Sequence, residues 1–139
     1  MFYYIIIIIT SIISGLITYI ISNKLNKGPV LGSSIVVLIS GIFLPHFFGE
    51  LGINLALVST ASSYSGMVAT KNIPNLYEMA IVGFITGIVF ILVDHQDVFS
   101  GVGGKLGTIA GISCLTWIGF RKVFLSQDES KKINIAKIN

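Results

Sequence analysis

Long runs of apolar residues alternate with short polar gaps along the chain, and nearly every charged residue lies in a gap. A bilayer core about 30 Å thick requires about 20 consecutive apolar residues of helix. The pattern therefore predicts an all-α integral membrane bundle of five transmembrane helices. The predicted segments are residues 3–21, 30–48, 51–69, 76–93 and 102–120.

The composition agrees with this class, because 53% of the residues are hydrophobic and only 11% are charged. Such values exclude a soluble domain with an ordinary polar surface, and they exclude disorder. We expect one transmembrane domain over residues 1–124 and a short polar cytoplasmic tail over residues 125–139. The first segment has no basic stretch before it and no small-residue cleavage site after it, which indicates an uncleaved helix.

The distribution of basic residues predicts the orientation of the helices. Lys24 and Lys27 lie in the first gap, Lys71 lies in the third, and the tail begins with Arg121 and Lys122. Basic loops stay in the cytoplasm, so the N-terminus is expected outside and the tail inside, in a bacterial or archaeal inner membrane. Segment 51–69 is rich in hydroxyl groups, and a re-entrant hairpin is the alternative there. That alternative violates the charge rule, so five spans are favoured.

Two pairs of helices resemble each other. Residues 35–42 and 81–88 share five identities in eight positions, and each copy leads to a loop that contains one histidine. Leu51-Gly52 and Leu106-Gly107 then open the following helices. The pattern predicts a duplicated hairpin of helices 2–3 and 4–5. Chance similarity within the small alphabet of membrane helices is the competing explanation.

Glycines recur at every fourth residue on helices 4 and 5. Residues i and i+4 share one helix face, and small residues there allow another backbone to approach closely. The spacing predicts tight packing within the bundle, with helices 4 and 5 joined through glycine. The alternative is a subunit interface or a narrow path. The residues concerned are Gly83, Gly87, Gly103, Gly107 and Gly111.

Helix 3 is the most polar predicted span, so we expect it at the centre of the bundle. Its hydroxyl groups either bond back to carbonyl groups of their own helix or line a hydrated path for a polar solute. The residues assigned to such a path are Asn54, Ser59, Ser62, Ser63 and Tyr64.

The outer loops carry histidines and carboxylates, which together attract cations, pass protons or bind a divalent metal. Outer loops lack basic residues in any case, so an acidic character is also expected without function. We predict a cation-attracting outer mouth and no metal site. Its residues are His46, Glu50, Asp94, His95 and Asp97.

Several activities are disfavoured by the sequence. No Asp, Glu, Lys, Arg or His lies in the middle of a span, whereas ion-coupled pumps keep such a residue there. The glycine-rich stretch 101–108 has Leu106 where a phosphate-binding loop requires Ser or Thr after its lysine. No catalytic motif is present, so we expect neither an enzyme nor a cofactor.

The leading hypothesis is a small homo-oligomeric channel or facilitative transporter for an ion or small polar solute. The alternative is a non-transporting structural or anchoring subunit of a larger membrane protein complex. A lysis or toxin-like pore former is a third class, for which five spans are more than necessary. Expected partners are the lipid bilayer, copies of the same chain and another membrane subunit, with no nucleic acid.

Overall fold

The computed structural model of the 139-residue chain describes residues 2–94 and 101–136, with side chains described as far as residue 126. These residues form five α-helices and no strand, so the all-α prediction is confirmed. A π-helical segment, Ile20–Lys24, extends the first helix. The helices are α1 (Phe2–Tyr19), α2 (Pro29–Phe48), α3 (Glu50–Ser65), α4 (Leu76–Asp94) and α5 (Val102–Ala136).

Four stretches are long and apolar enough to cross a bilayer: Phe2–Lys24, Pro29–Phe48, Leu76–Asp94 and Val102–Ser126. Each starts within one residue of its predicted segment, because the hydropathy pattern changes sharply at those positions. Helices of this kind are typical of a membrane-embedded protein.

Helix α3 differs from the predicted segment 51–69. It has 16 residues, which corresponds to about 24 Å of helix. The helix ends where the backbone of Gly66 passes against α1: a Cβ atom added there would lie 2.7 Å from the Gly15 carbonyl oxygen and from Thr18 Cβ. Residues 66–69 therefore lie outside the helix.

The helices alternate in direction. Tyr3 contacts Asn54 near one end of α1, and Asn23 contacts Val68 beyond the other end, so α1 and α3 run the same way. Gly49 reverses the chain between α2 and α3 with a φ of 57°, a backbone conformation that favours glycine. Helices α2 and α4 therefore run opposite to α1, α3 and α5.

Helix α3 contacts all four other helices and occupies the centre of the bundle, as its polarity predicts. Leu55, Val58 and Ala61 of α3 pack into a buried cluster with Phe90 of α4 and residues of α1 and α5. One side of α3 stays open, however. Ile53 and Tyr64 are exposed, so the other helices do not fully surround it.

Helix α5 continues past the predicted domain boundary between residues 124 and 125. Its 35 residues correspond to about 52 Å of helix, well beyond a bilayer core of about 30 Å. The predicted polar tail is therefore helical as far as Ala136 and is continuous with the last span.

The proposed duplication is not reflected in the packing of its two matched glycines. Gly52 lies against the backbone of Leu44 in the α2–α3 hairpin. Gly107, its counterpart on α5, has no atom within 4 Å of an added Cβ. The repeat remains a prediction from the sequence.

Candidate functional site

The buried serines of α3 form the main polar feature inside the bundle. Ser59, Ser62, Ser63 and Ser65 are all fully buried although they project in different directions. A buried hydroxyl group without a partner costs about 1–3 kcal/mol, so each one requires a hydrogen bond. The partners of these serines show whether α3 lines a path or seals the bundle.

Two of the serines bind α1. The Ser59 and Ser14 hydroxyl groups lie 2.7 Å apart, and the Ser62 hydroxyl donates to the Ser11 carbonyl oxygen. The Ser11 hydroxyl in turn donates to the Gly83 carbonyl oxygen of α4 at 2.7 Å. Ser11 thus accepts from α3 through its carbonyl oxygen and donates to α4 through its hydroxyl group.

The other two serines bind α2 and α4. The Ser63 and Ser33 hydroxyl groups lie 3.0 Å apart, and the Ser65 and Thr86 hydroxyl groups lie 3.1 Å apart. Thr86 also donates to the Val82 carbonyl oxygen at 2.8 Å. The hydroxyl groups of α3 thus connect it with three neighbouring helices, and they do so within a tightly packed interior.

The residues assigned to a polar path do not face one lumen. Ser59 and Ser62 face α1, whereas Ser63 faces α2. Asn54 donates from Nδ2 to the Tyr3 hydroxyl oxygen at 3.0 Å, and Tyr64 lies on the exposed side of α3. The five residues therefore do not share one face of α3, and a path along them remains a prediction.

A groove opens on the bilayer side between α1 and α2. Its volume is about 430 Å³, and apolar residues, among them Ile13, Ile17 and Ile39, form most of its lining. The hydroxyl groups of Ser14 and Ser40 also lie along it. A groove of this size and lining accommodates an apolar chain rather than a hydrated ion.

The predicted outer-mouth residues that the structure describes lie on three different helices at the end of the bundle that carries the α2–α3 turn, and each has its own surroundings. His46 is exposed, with its ring edge against Phe47 at a centroid distance of 5.6 Å. Glu50 begins α3, where a carboxylate stabilises the helix dipole. Asp94 forms an ion pair with Lys105 at 2.9 Å. No group of three metal-ligating side chains occurs among the described residues, and His95 and Asp97 lie outside them.

The glycines of α4 pack closely, but against α1 rather than α5. A Cβ atom added at Gly83 would lie 2.9 Å from the Ile12 Cα atom, and one at Gly87 would lie 3.2 Å from the Ile8 Cα atom. The predicted contact of α4 with α5 through glycine is therefore not found. The close approach of α1 and α4 also explains why Ser11 reaches the Gly83 carbonyl group.

The glycines of α5 have no neighbour within the described chain. Added Cβ atoms at Gly103, Gly107 and Gly111 would meet nothing within 4 Å, and all three residues are exposed. We call these three residues the α5 glycine face. The spacing of glycines on α5 therefore does not serve packing among the described residues of one chain. The alternative, a subunit interface or a narrow path, remains a prediction.

The structure also reveals an ion pair that the sequence analysis missed. Glu78 of α4 accepts from Arg121 at 3.3 Å and from the Trp117 indole N–H at 3.2 Å. The partners are far apart in sequence, so only the antiparallel arrangement of α4 and α5 brings them together. Hydroxyl groups three residues apart, at Ser11 and Ser14, were the available signal for the α1 side of the network.

Comparisons with known protein families, with characterised proteins and with solved structures found no match.

Proposed function

We infer that all five helices cross the membrane, with the N-terminus outside and the end of α5 in the cytoplasm of a bacterial or archaeal cell. The alternating helix directions support this topology. They place the basic residues of the loops, and those that follow the membrane-spanning part of α5, at one end of the bundle. Glu50 and Asp94 lie at the other end. The basic residues are Lys24, Lys27, Lys71, Arg121 and Lys122.

The short helix α3 fits this topology because its contacts extend along the whole first span. Its partners run from Tyr3 at the start of α1 to Asn23 near the end of the π-helical segment.

With Cys114 replaced by Ala, single cysteines at Glu50 and Lys71 test the topology. We expect a membrane-impermeant thiol reagent to label intact cells at position 50 only. Labelling at position 71 instead would contradict the orientation.

We propose that the protein is a non-transporting anchoring subunit of a larger membrane complex and that α5 docks against a transmembrane helix of a partner. The observation that carries this proposal is the open α5 glycine face. Glycines at close helix contacts exist elsewhere in this chain, where Gly15, Gly66, Gly83 and Gly87 all lie against neighbouring atoms. A face of the same kind on α5 is suited to the close approach of another membrane helix.

The closed interior supports a structural role over conduction through a single chain. Ser62 and Ser63 have no exposed surface, and their hydroxyl groups are within hydrogen-bond distance of neighbouring helices. Opening a path along α3 requires breaking these contacts and separating packed helices. This arrangement favours the anchoring function over the channel that the polarity of α3 suggests.

The test compares Gly107→Leu with Gly41→Leu. Gly41 is the matched control, because it also lies on an exposed helix face with nothing within 4 Å of an added Cβ. We expect the wild-type protein, tagged and extracted from its native membrane in mild detergent, to carry a stoichiometric partner. Gly107→Leu is expected to lose the partner and keep the wild-type melting temperature, whereas Gly41→Leu keeps both. Equal retention by the two variants would contradict the proposal.

A second candidate is a homo-oligomeric channel or facilitative transporter whose path runs between copies. Thr108 and Thr116 favour it, because both are exposed on α5; their hydroxyl groups donate to the Gly104 and Ile112 carbonyl oxygens and can still accept from a solute outside the bundle. Copies packed around a common axis through this helix would present hydroxyl and glycine carbonyl groups to a solute. Flux through reconstituted liposomes that disappears in Thr108→Val supports this candidate, and absence of flux from oligomeric protein contradicts it.

A further inference from the structure

A second cavity, separate from the α3 network, lies at the basic end of the bundle. Its volume is about 360 Å³, within the range of about 300–1,000 Å³ typical of small-molecule sites. The end of the first span contributes Asn23 and Lys24, and the α3–α4 loop contributes Thr70 and Asn75. Tyr77, in the first turn of α4, completes the polar lining.

Hydrogen bonds between the first span and the α3–α4 loop hold the walls of this cavity. Asn23 donates from Nδ2 to the Val68 carbonyl oxygen at 3.2 Å, and the Tyr19 hydroxyl donates to the Ile73 carbonyl oxygen. Ile73 is itself fully buried. The cavity is therefore formed by the fold, because the loop that closes it is tied to α1 on both sides.

The rim of the cavity carries a positive charge. Lys24 is exposed at its rim, and no acidic side chain among those described lies within ion-pair distance of its Nζ atom. Glu78 is the nearby carboxylate of α4, but its oxygens already accept from Arg121, Trp117 and Asn75. The unbalanced charge beside the cavity is thus the lysine ammonium group.

The position of the cavity indicates the kind of anion it receives. It lies where the apolar spans end and the basic loops begin, which is the depth of lipid headgroups. Tyr77 is 86% exposed beside it, and tyrosine is enriched at that depth. Basic pockets between transmembrane helices on the cytoplasmic side bind anionic headgroups.

We propose that this cavity binds the phosphate group of an anionic phospholipid, with Lys24 as the ion-pairing cation and Asn23 and Asn75 as neighbouring polar groups. The lipid chains would lie along the adjacent spans. The proposal rests on the inferred topology but is independent of the anchoring function, because it concerns the opposite end of the molecule from Gly103 and a different set of side chains.

The experiment measures phosphatidylglycerol binding to the detergent-purified full chain by native mass spectrometry, with phosphatidylcholine as the zwitterionic reference. Lys24→Gln is expected to weaken phosphatidylglycerol binding about fivefold, the effect of one cation near an anionic headgroup. Lys27→Gln is the matched control, since it removes the same charge three residues away without lining the cavity. Its affinity is expected to equal that of the wild type.

A second variant tests the cavity itself. Thr70→Trp keeps Lys24 and fills the space with an indole ring, so it is expected to reduce phosphatidylglycerol binding without changing the net charge. Equal affinities of Lys24→Gln and Lys27→Gln, or unchanged binding to Thr70→Trp, would overturn the proposal. Competition by millimolar inorganic phosphate against the lipid would assign the site to free phosphate and overturn the lipid as its source.

Discussion

The surroundings of helices α3 and α5 differ in a way that the sequence of neither helix predicts alone. The sequence of helix α3 is compatible with hydroxyl groups that line a hydrated path or that bond back to their own helix. In the structure its serines are buried and bonded to neighbouring helices, and Ser63 and Ser65 also donate to carbonyl groups of α3. Helix α5 carries the glycines expected to face another helix, yet Cβ atoms added at Gly103, Gly107 and Gly111 would meet nothing among the described residues. Polarity on α3 therefore marks the centre of the bundle, whereas small residues occur both at packed helix contacts, as at Gly83, and on the open side of α5, as at Gly107.

The contrast has a physical reason. In a bilayer a hydroxyl group gains more from another helix than from lipid, so polar helices move inward and are sealed there. Glycine gains nothing from lipid contact, because it has no side chain to bury. A row of exposed glycines is thus useful only when a second backbone comes close to it.

The largest expected effect separates the two classes of glycine. Gly83→Leu should destabilise the folded bundle by about 3 kcal/mol, because its side chain would collide with the α1 backbone at Ile12. Gly107→Leu should change the free energy of unfolding by less than about 0.5 kcal/mol, as a surface substitution does. Thermal unfolding of both variants in detergent measures the difference. Similar melting temperatures for the two would contradict the assignment of packed and open faces.

A second pair of variants tests the sealed interior on neighbouring residues of α3. Ser63→Leu overfills a fully buried site and should cost about 2 kcal/mol of folding stability. Tyr64→Leu, on the exposed side of the same helix, should cost little. Denaturant titration of the two proteins distinguishes them. A stable Ser63→Leu variant that has lost a measurable solute flux would instead indicate a path along α3.

The smallest expected effect concerns one hydrogen bond of the network. Removing the Ser14 hydroxyl group by Ser14→Ala breaks its contact with Ser59. Such interhelical bonds are worth about 0.6 kcal/mol in membranes. A double-mutant cycle with Ser59→Ala should give a coupling energy of that order. Strictly additive effects would show that the two hydroxyl groups do not stabilise one another.

Most of the fold could be predicted because hydropathy alone defines long apolar spans. The end of α3 was overestimated, since it depends on the contact of Gly66 with α1, which hydropathy does not report. The sequence is equally compatible with a short helix and a frayed end beyond residue 124, because this stretch is polar and continues α5 without a new apolar signal.

The candidate site was predicted less well. Spacing shows that Gly103 and Gly107 share a face, but it does not show what that face meets. The same limit applies to Ser62 and Ser63, whose polarity is compatible with water or with another helix. Their partners, Ser11 and Ser33, depend on the direction and rotation of neighbouring helices, which a single sequence does not specify.

The most direct test of the account is photo-crosslinking in the native membrane from a benzoylphenylalanine placed at position 107, compared with position 41. The account predicts a discrete protein adduct from position 107 and only lipid adducts from position 41, because both sites are open in the chain and only α5 is covered in the membrane. Mass analysis of the adduct identifies the partner as another protein or a second copy. Lipid adducts alone from both positions would contradict the claim that α5 is the docking helix.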